Sequence, residues 1–238
     1  MPKYVINKKF TTIAARSDRV LEIAEAFGLG LEDKEFVIFD NLELEIEKGA
    51  VVYITGQSGS GKSQLLKSLE QLMKEEGSNV INLDDIFMDN SKTLIDQIGK
   101  DTNDALKILS IAGLNDAYLY IRKPNELSDG QRYRFRLAKA IESSADVWVA
   151  DEFMAVLDRT AAKVIAYSVQ KTARKTGVTV VVATTHTDMV PDLDPDIFIE
   201  KKYREKLRVE TKASLVQDIA QETKSTKDEL MESLLRII

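Results

Sequence analysis

The chain has 238 residues, 44% of them hydrophobic, and a formal net charge of −6, which is enough for one large α/β domain and short for two. With no cysteine and a single histidine, disulfides, thiolate metal sites and a histidine-based zinc centre are excluded, and a reducing cytoplasm is the expected compartment. The acidic balance argues against broad attraction to nucleic acid or anionic membrane. No apolar run approaches the roughly 20 residues of a membrane span, and MPKYVINKKF lacks the apolar stretch of a signal peptide.

No repeat, low-complexity tract or Pro/Gly/Ser-rich linker interrupts the chain, so one unit over residues 1–238 is expected, with residues 1–19 as an N-terminal extension. The segment from Val20 to Phe27 has helix-forming residues behind a possible Ser17 cap. The alternating run Asn41 to Glu47 predicts a half-exposed strand, and Val51 to Thr55 a buried one. Gln64 to Lys74 has helical spacing (Leu65, Leu66, Leu69, Leu72, Met73) and stops at Gly77. Val80 to Leu83 is the next strand, and Leu94 to Tyr120 is predicted to be mostly helical. Gln131 to Glu142 is a helix, Asp146 to Ala150 a strand, Thr160 to Lys175 a helix and Val178 to Thr184 a buried strand. This βα alternation predicts a largely parallel sheet. Ile197–Ile199 and Leu207–Val209 are expected to pair, followed by a C-terminal helical extension over about 210–238. Its helix begins near Thr226 with Glu229 completing a capping box, and Leu230, Met231, Leu234, Leu235 and Ile238 share one apolar face.

Gly56-Gln57-Ser58-Gly59-Ser60-Gly61-Lys62-Ser63 joins the buried strand to the following helix and has the spacing of a phosphate-binding P-loop. Glycines let backbone N–H groups approach a phosphate chain where side chains would clash, and the helix N-terminus adds a favourable dipole. Gly56, Ser58, Gly59, Ser60, Gly61, Lys62, Ser63 and Gln64 are therefore the candidate nucleotide cradle. Lys62 is expected to reach the β- and γ-phosphates and Ser63 to ligate Mg²⁺. Asp151, after four apolar residues of a strand, is the candidate Walker B acid and second Mg²⁺ ligand. A flexible glycine loop and a solvated pair of acids, Asp151 and Glu152, are the bland alternatives.

Between these motifs lies Leu127-Ser128-Asp129-Gly130-Gln131 at the start of a helix. A P-loop, an L-S-x-G-Q segment and a strand ending in two acids, in this order, resemble an ABC-type ATPase, over about Val20 to Val209. The resemblance implies an α/β P-loop NTPase fold with a mostly parallel central sheet flanked by helices, an N-terminal antiparallel β portion, and a reduced helical signature subdomain at about 84–142. It also implies a strand at Val20–Phe27. By the same resemblance Glu152 is the general base for ATP hydrolysis, Asp158 belongs to the D-loop as well as being a possible helix cap, and His186 is the switch histidine beside the γ-phosphate. Ser128, Gly130 and Gln131 would face the ATP held by a second copy, so ATP and Mg²⁺ would sit in a head-to-tail homodimer.

Three departures from the family stand out. Phe153 replaces a proline, and Asp129 replaces the first signature glycine. No glutamine closes the strand after the P-loop helix; that strand runs Asn82-Leu83-Asp84-Asp85, so Asp84 is the candidate substitute metal ligand and Gln97 the nearest later glutamine. For adenine stacking the resemblance implies an upstream aromatic: Phe27, with Phe36 and Phe39 as rivals. Arg132, Arg136 and Lys139 share a helical face suited to phosphate or nucleic acid, or simply to solvent.

The missing glutamine and short helical region favour a stand-alone, cytoplasmic ATPase, of the kind found in prokaryotes and their viruses, acting on nucleic-acid or assembly machinery rather than on membrane subunits. The alternative is the ATP-binding subunit of a membrane transporter. A third reading, a scaffold that dimerises on ATP without hydrolysis, sits poorly with the presence of Lys62, Asp151, Glu152 and His186.

Overall fold

The structure, a computed structural model, describes residues 2–13, 15–155, 157–202, 205, 207–212 and 214. The expected C-terminal helix from Thr226, with its apolar face, lies outside the described residues. The chain divides into two compact units, Pro2–Glu45 and the part from Ile46 onward.

In the first unit, β1 (Lys3–Thr12) pairs antiparallel with β2 (Lys34–Glu45). Alternation places Tyr4 and Ile6 inside, along with Phe39 and Leu44 of the other strand. The register slips between Ile6 and Lys8. Nearby, Asn41 adopts a left-handed conformation, which asparagine tolerates, and its backbone N–H donates to Asn7 Oδ1 at 2.7 Å. The connection contains α1 (Asp18–Phe27). This corrects the strand expected at Val20–Phe27. Ser17 holds the extended N-cap conformation with Asp18 in the first turn, and Gly28 closes the helix at φ 61, its N–H reaching the carbonyls of Ala24 and Glu25. Local capping and helix-forming side chains thus prevail over the family pattern.

The second unit is built on a six-stranded sheet with strand order β4 (Val80–Asn82), β5 (Val147–Ala150), β6 (Thr179–Thr184), β3 (Val51–Gly56), β7 (Ile197–Lys201), β8 (Arg208–Thr211). Every neighbouring pair is parallel except β7–β8, where Ile199 lies opposite Val209 in antiparallel register. The three central strands are buried throughout, apart from the half-buried last residue of β3, as fits a sheet covered on both faces. The helix α2 (Lys62–Glu75) buries Leu65, Leu66, Leu69 and Met73, one stripe at helical spacing. Each such side chain contributes roughly 1.5–3 kcal/mol when fully removed from water.

Between β4 and β5 the chain forms short 3₁₀ turns, α3 (Thr102–Ile111), α4 (Ala117–Tyr120) and α5 (Asp129–Glu142). The stretch Leu94–Tyr120 is less continuous than a helix would be, because Gly99 and Gly113 take left-handed conformations at its breaks. Leu109, Leu127, Phe135 and Leu137 from this region join Trp148, Val180 and Val182 of the sheet in one core. The helix α6 (Arg159–Thr176) adds Ile165, Ala166 and Val169 to it, and the short α7 (Val190–Leu193) precedes β7.

Candidate nucleotide site

Adjacent parallel strands β4, β5, β6 and β3 end at the same edge of the sheet, the edge at which open α/β sheets bind their ligands. From these ends project Asp84, Asp151 with Glu152, His186, and the P-loop. The register makes the assembly tight: Ala150 is level with Val182, and Ile54 with Ala183. Residues far apart in sequence are therefore brought together at the strand ends.

Gly56 ends β3 at φ 145, and a Cβ there would fall 1.9 Å from the Lys201 carbonyl oxygen. Only glycine fits. Gly59 and Gly61 also have positive φ, and Gly61 caps α2. Ser58 is exposed while Ser60 is buried, its Oγ without a hydrogen-bond partner. Lys62 is 5% exposed and its Nζ donates to the Gln57 carbonyl at 2.9 Å, so the ammonium is folded over its own loop. Ser63 and Gln64 follow in the first turn of α2, whose leading N–H groups have no intrahelical acceptors.

At the end of β5, one strand removed from the P-loop strand, Asp151 Oδ1 accepts the Glu152 N–H at 3.0 Å, and the Asp151 N–H donates to Asp84 Oδ2 at 3.0 Å. Glu152 is exposed and held at φ 49, with Met154 at φ 59. Two left-handed non-glycine residues within three positions store backbone strain of order 1–3 kcal/mol each. Phe153 between them anchors the turn: its N–H donates to the Ala183 carbonyl at 2.8 Å, and its buried ring meets Tyr133 edge-on at 6.2 Å. The departure from proline at 153 thus supplies a hydrogen bond that proline lacks.

His186 is half-buried, two residues past β6, and its carbonyl accepts the Tyr53 hydroxyl at 2.6 Å. Asp188 in the same loop pairs with Arg159 at the start of α6. That guanidinium holds the Asp188 carboxyl below the usual carboxylate range. Asp158 caps α6, accepting the Ala161 N–H at 2.9 Å.

Ser128 caps α5 in a reciprocal box with Gln131: Ser128 Oγ accepts the Gln131 N–H and Gln131 Oε1 accepts the Ser128 N–H. Gly130 lies in the first turn, where a Cβ would be 3.8 Å from Ile165. Asp129 is exposed and 3.3 Å from Arg132 Nη1, so its charge is offset by a neighbour one turn along.

Burial pushes the Asp84 carboxyl above its usual range, against the Asp151 N–H and Arg136, which pull it down. Gln97, the later glutamine, is occupied elsewhere; its side chain bridges Asp89, Lys92 and Thr93. Of the three aromatics expected to stack adenine, Phe39 is buried at 4% exposure and presents no face, whereas Phe27 and Phe36 are exposed. Phe10 on β1 sits directly opposite Phe36 and is itself exposed.

The basic side chains of α5 are half-buried and engaged within the chain. Arg132 donates to the Pro124 and Leu127 carbonyls, Arg136 faces Asp84, and Lys139 donates to the Gln97 carbonyl at 3.1 Å.

Residues 39–155 match the ABC transporter family. The chain is 30% identical over 191 residues to the methionine import ATP-binding protein MetN of Clostridium tetani, covering 66% of this chain and 59% of that one. It is 27% identical over 179 residues to the cytochrome c biogenesis ATP-binding export protein CcmA of Reclinomonas americana, covering 64% and 80%. The dimeric post-hydrolysis structure of the ATP-binding cassette MJ0796 bound to ADP and Pi matches with a TM-score of 0.60 and 20% identity over 88% of this chain and 98% of that one. The chain spans somewhat more than half the length of the MetN relatives it matches. These relatives are transporter components by name, which overturns the expectation of a stand-alone ATPase acting on nucleic-acid or assembly machinery. That expectation leaned on the absent glutamine and the short helical region, and neither feature by itself defines a branch of the family. Among the described residues, no helix is long and apolar enough to cross a membrane. ATP binding and hydrolysis are the common activity of the family, and by its motifs, their arrangement along one sheet edge and its relatives, this chain belongs to the ABC ATPases as a nucleotide-binding domain.

Proposed function

We propose that this chain is the ATP-binding and ATP-hydrolysing subunit of an ABC membrane transporter, working at the cytoplasmic face, with two copies closing around two ATP molecules. The observation that carries this reading is the convergence of Gly56–Ser63, Asp151, Glu152 and His186 on the ends of neighbouring parallel strands. The P-loop amides and Lys62 bind the phosphates, and Lys62 releases the Gln57 carbonyl to do so. Glu152 takes the proton of the attacking water, and His186 orients that water against the γ-phosphate. Ser128, Gly130 and Gln131 at the start of α5 receive the phosphate carried by the other copy.

Ser63 and Asp151 offer a hydroxyl and a carboxylate, hard oxygen donors that fit Mg²⁺ held jointly with a nucleotide. Bound there, the ion would supply charge neutralisation for the phosphate chain.

The partner follows from the relatives, which are import and export ATP-binding proteins, and from a surface suited to a membrane subunit. Phe87 is 80% exposed, and cavities of about 460 and 490 Å³ share Asp85, Ile86 and Phe87 in their walls. An exposed phenylalanine flanked by two hollows suits an amphipathic segment laid across it.

The test is light scattering of purified protein. The wild type should hydrolyse ATP, and Glu152→Gln should bind it and become a dimer in saturating Mg-ATP. A Glu152→Gln protein that stays monomeric under those conditions would remove the basis for the paired arrangement.

A further inference from the structure

We infer that Asp84, rather than serving as a metal ligand, is a positioning residue that clamps the backbone of Asp151 and ties it to α5 through Arg136; the functional part of this inference rests on the ATPase reading above. Asp84 Oδ2 accepts the Asp151 N–H at 3.0 Å, while Oδ1 lies 4.0 Å from Arg136 Nη1. One carboxylate thus touches both the strand end that carries the acids and the helix that Ser128 caps.

The surroundings explain why a carboxylate stands here. Tyr133 Oη and Arg136 Nε are buried without a hydrogen-bond partner, three residues apart on α5, and the Tyr133 hydroxyl senses both the Asp84 and Arg136 charges. The Tyr133 hydroxyl, the Arg136 guanidinium and the Asp151 N–H all call for an acceptor. A carboxylate brings two acceptor oxygens, whereas an amide would bring a further N–H₂ donor into a place already short of acceptors.

The same face of α5 makes a second, apolar link to the acids. Tyr133 meets Phe153 edge-on at 6.2 Å, and Phe153 directly follows Glu152. Asp84–Arg136 and Phe153–Tyr133 thus tie the segment that carries Asp151 and Glu152 to α5 at two points one helical turn apart. A shift of α5 as Ser128 engages a phosphate is passed to both acids through these contacts.

The experiment compares Asp84→Ala, Asp84→Asn and Arg136→Met, each first checked for an unchanged melting transition. Amide hydrogen exchange of the nucleotide-free protein reads the clamp directly and needs no ATPase activity. The Asp151 amide should exchange roughly tenfold faster in Asp84→Ala, as expected for one lost hydrogen bond of the stronger kind, and stay protected in Asp84→Asn, whose Oδ1 still accepts. In steady-state assays Asp84→Ala should lower kcat by roughly tenfold, with the ATP KM and the half-saturating Mg²⁺ concentration unchanged within about twofold. Asp84→Asn and Arg136→Met should each lower kcat by roughly two- to threefold, and the two combined should do no worse than either alone, since both break one contact. Unaltered exchange at Asp151 in Asp84→Ala overturns the clamp. A half-saturating Mg²⁺ concentration raised tenfold or more in Asp84→Ala overturns it in favour of metal ligation. Failure of the wild type to hydrolyse ATP, with the exchange result intact, would refute the ATPase reading and leave the clamp standing.

Discussion

The hydroxyl of Tyr53, in the middle of β3, donates to the carbonyl of His186 at 2.6 Å. The P-loop strand thereby holds the backbone of the loop that follows its neighbour β6, and burial pushes the Tyr53 phenol well above its usual range. It remains a donor at any physiological pH. Tyr53→Phe keeps the ring and its stacking on Phe198 but leaves the His186 carbonyl without this donor. We expect a stability loss of about 1 kcal/mol by denaturant unfolding, and a several-fold drop in kcat with ATP affinity preserved.

Gly56 is required by space as well as by conformation. With its virtual Cβ 1.9 Å from the Lys201 carbonyl, Gly56→Ala must separate β3 from β7 at the mouth of the site. Chemical denaturation should show a loss of about 3 kcal/mol or more, and nucleotide binding should fall with it.

Phe153→Pro would restore the family's residue, and it should harm this protein. Proline cannot donate to the Ala183 carbonyl as Phe153 does at 2.8 Å. The aromatic contact with Tyr133 is lost as well. A melting curve should place Phe153→Pro below Phe153→Leu, which keeps the N–H and most of the apolar volume.

Asp188 gives a pH dependence of defined sign. Its carboxyl titrates below the ordinary 3.8 because Arg159 donates to it, so its contribution to stability is present above 3.8 and disappears as pH falls through the lower folded value. Arg159→Met should therefore be less stable than wild type at neutral pH. The difference should shrink on acidification below pH 4, as read by urea midpoints across the range.

The P-loop, signature and strand-end acids were legible because they encode local geometry: glycines at positive φ, a cap such as Ser128, a carboxylate after four apolar residues. The βα alternation gave the parallel direction of the strands but not their order, which brings β6 between β5 and β3. The segment Asp18–Phe27 was misread because the family pattern was allowed to outweigh Ser17, Asp18 and Gly28, which together spell a capped helix. Asp84 was legible as a substitution. Its neighbours were not, since Arg136 and Tyr133 lie some fifty residues away and meet it only in the fold. The partner was misjudged for the same reason. Phe87, Pro124 and Arg132 line one cavity, and nothing in their spacing announces a common surface.

If this surface docks on a membrane subunit, a photo-reactive amino acid in place of Phe87, introduced into the protein in its native host and irradiated in intact cells, will form a covalent adduct with an integral membrane protein, recovered in the membrane fraction. Adducts with soluble proteins alone, or a chain found wholly outside the membrane fraction, would contradict it.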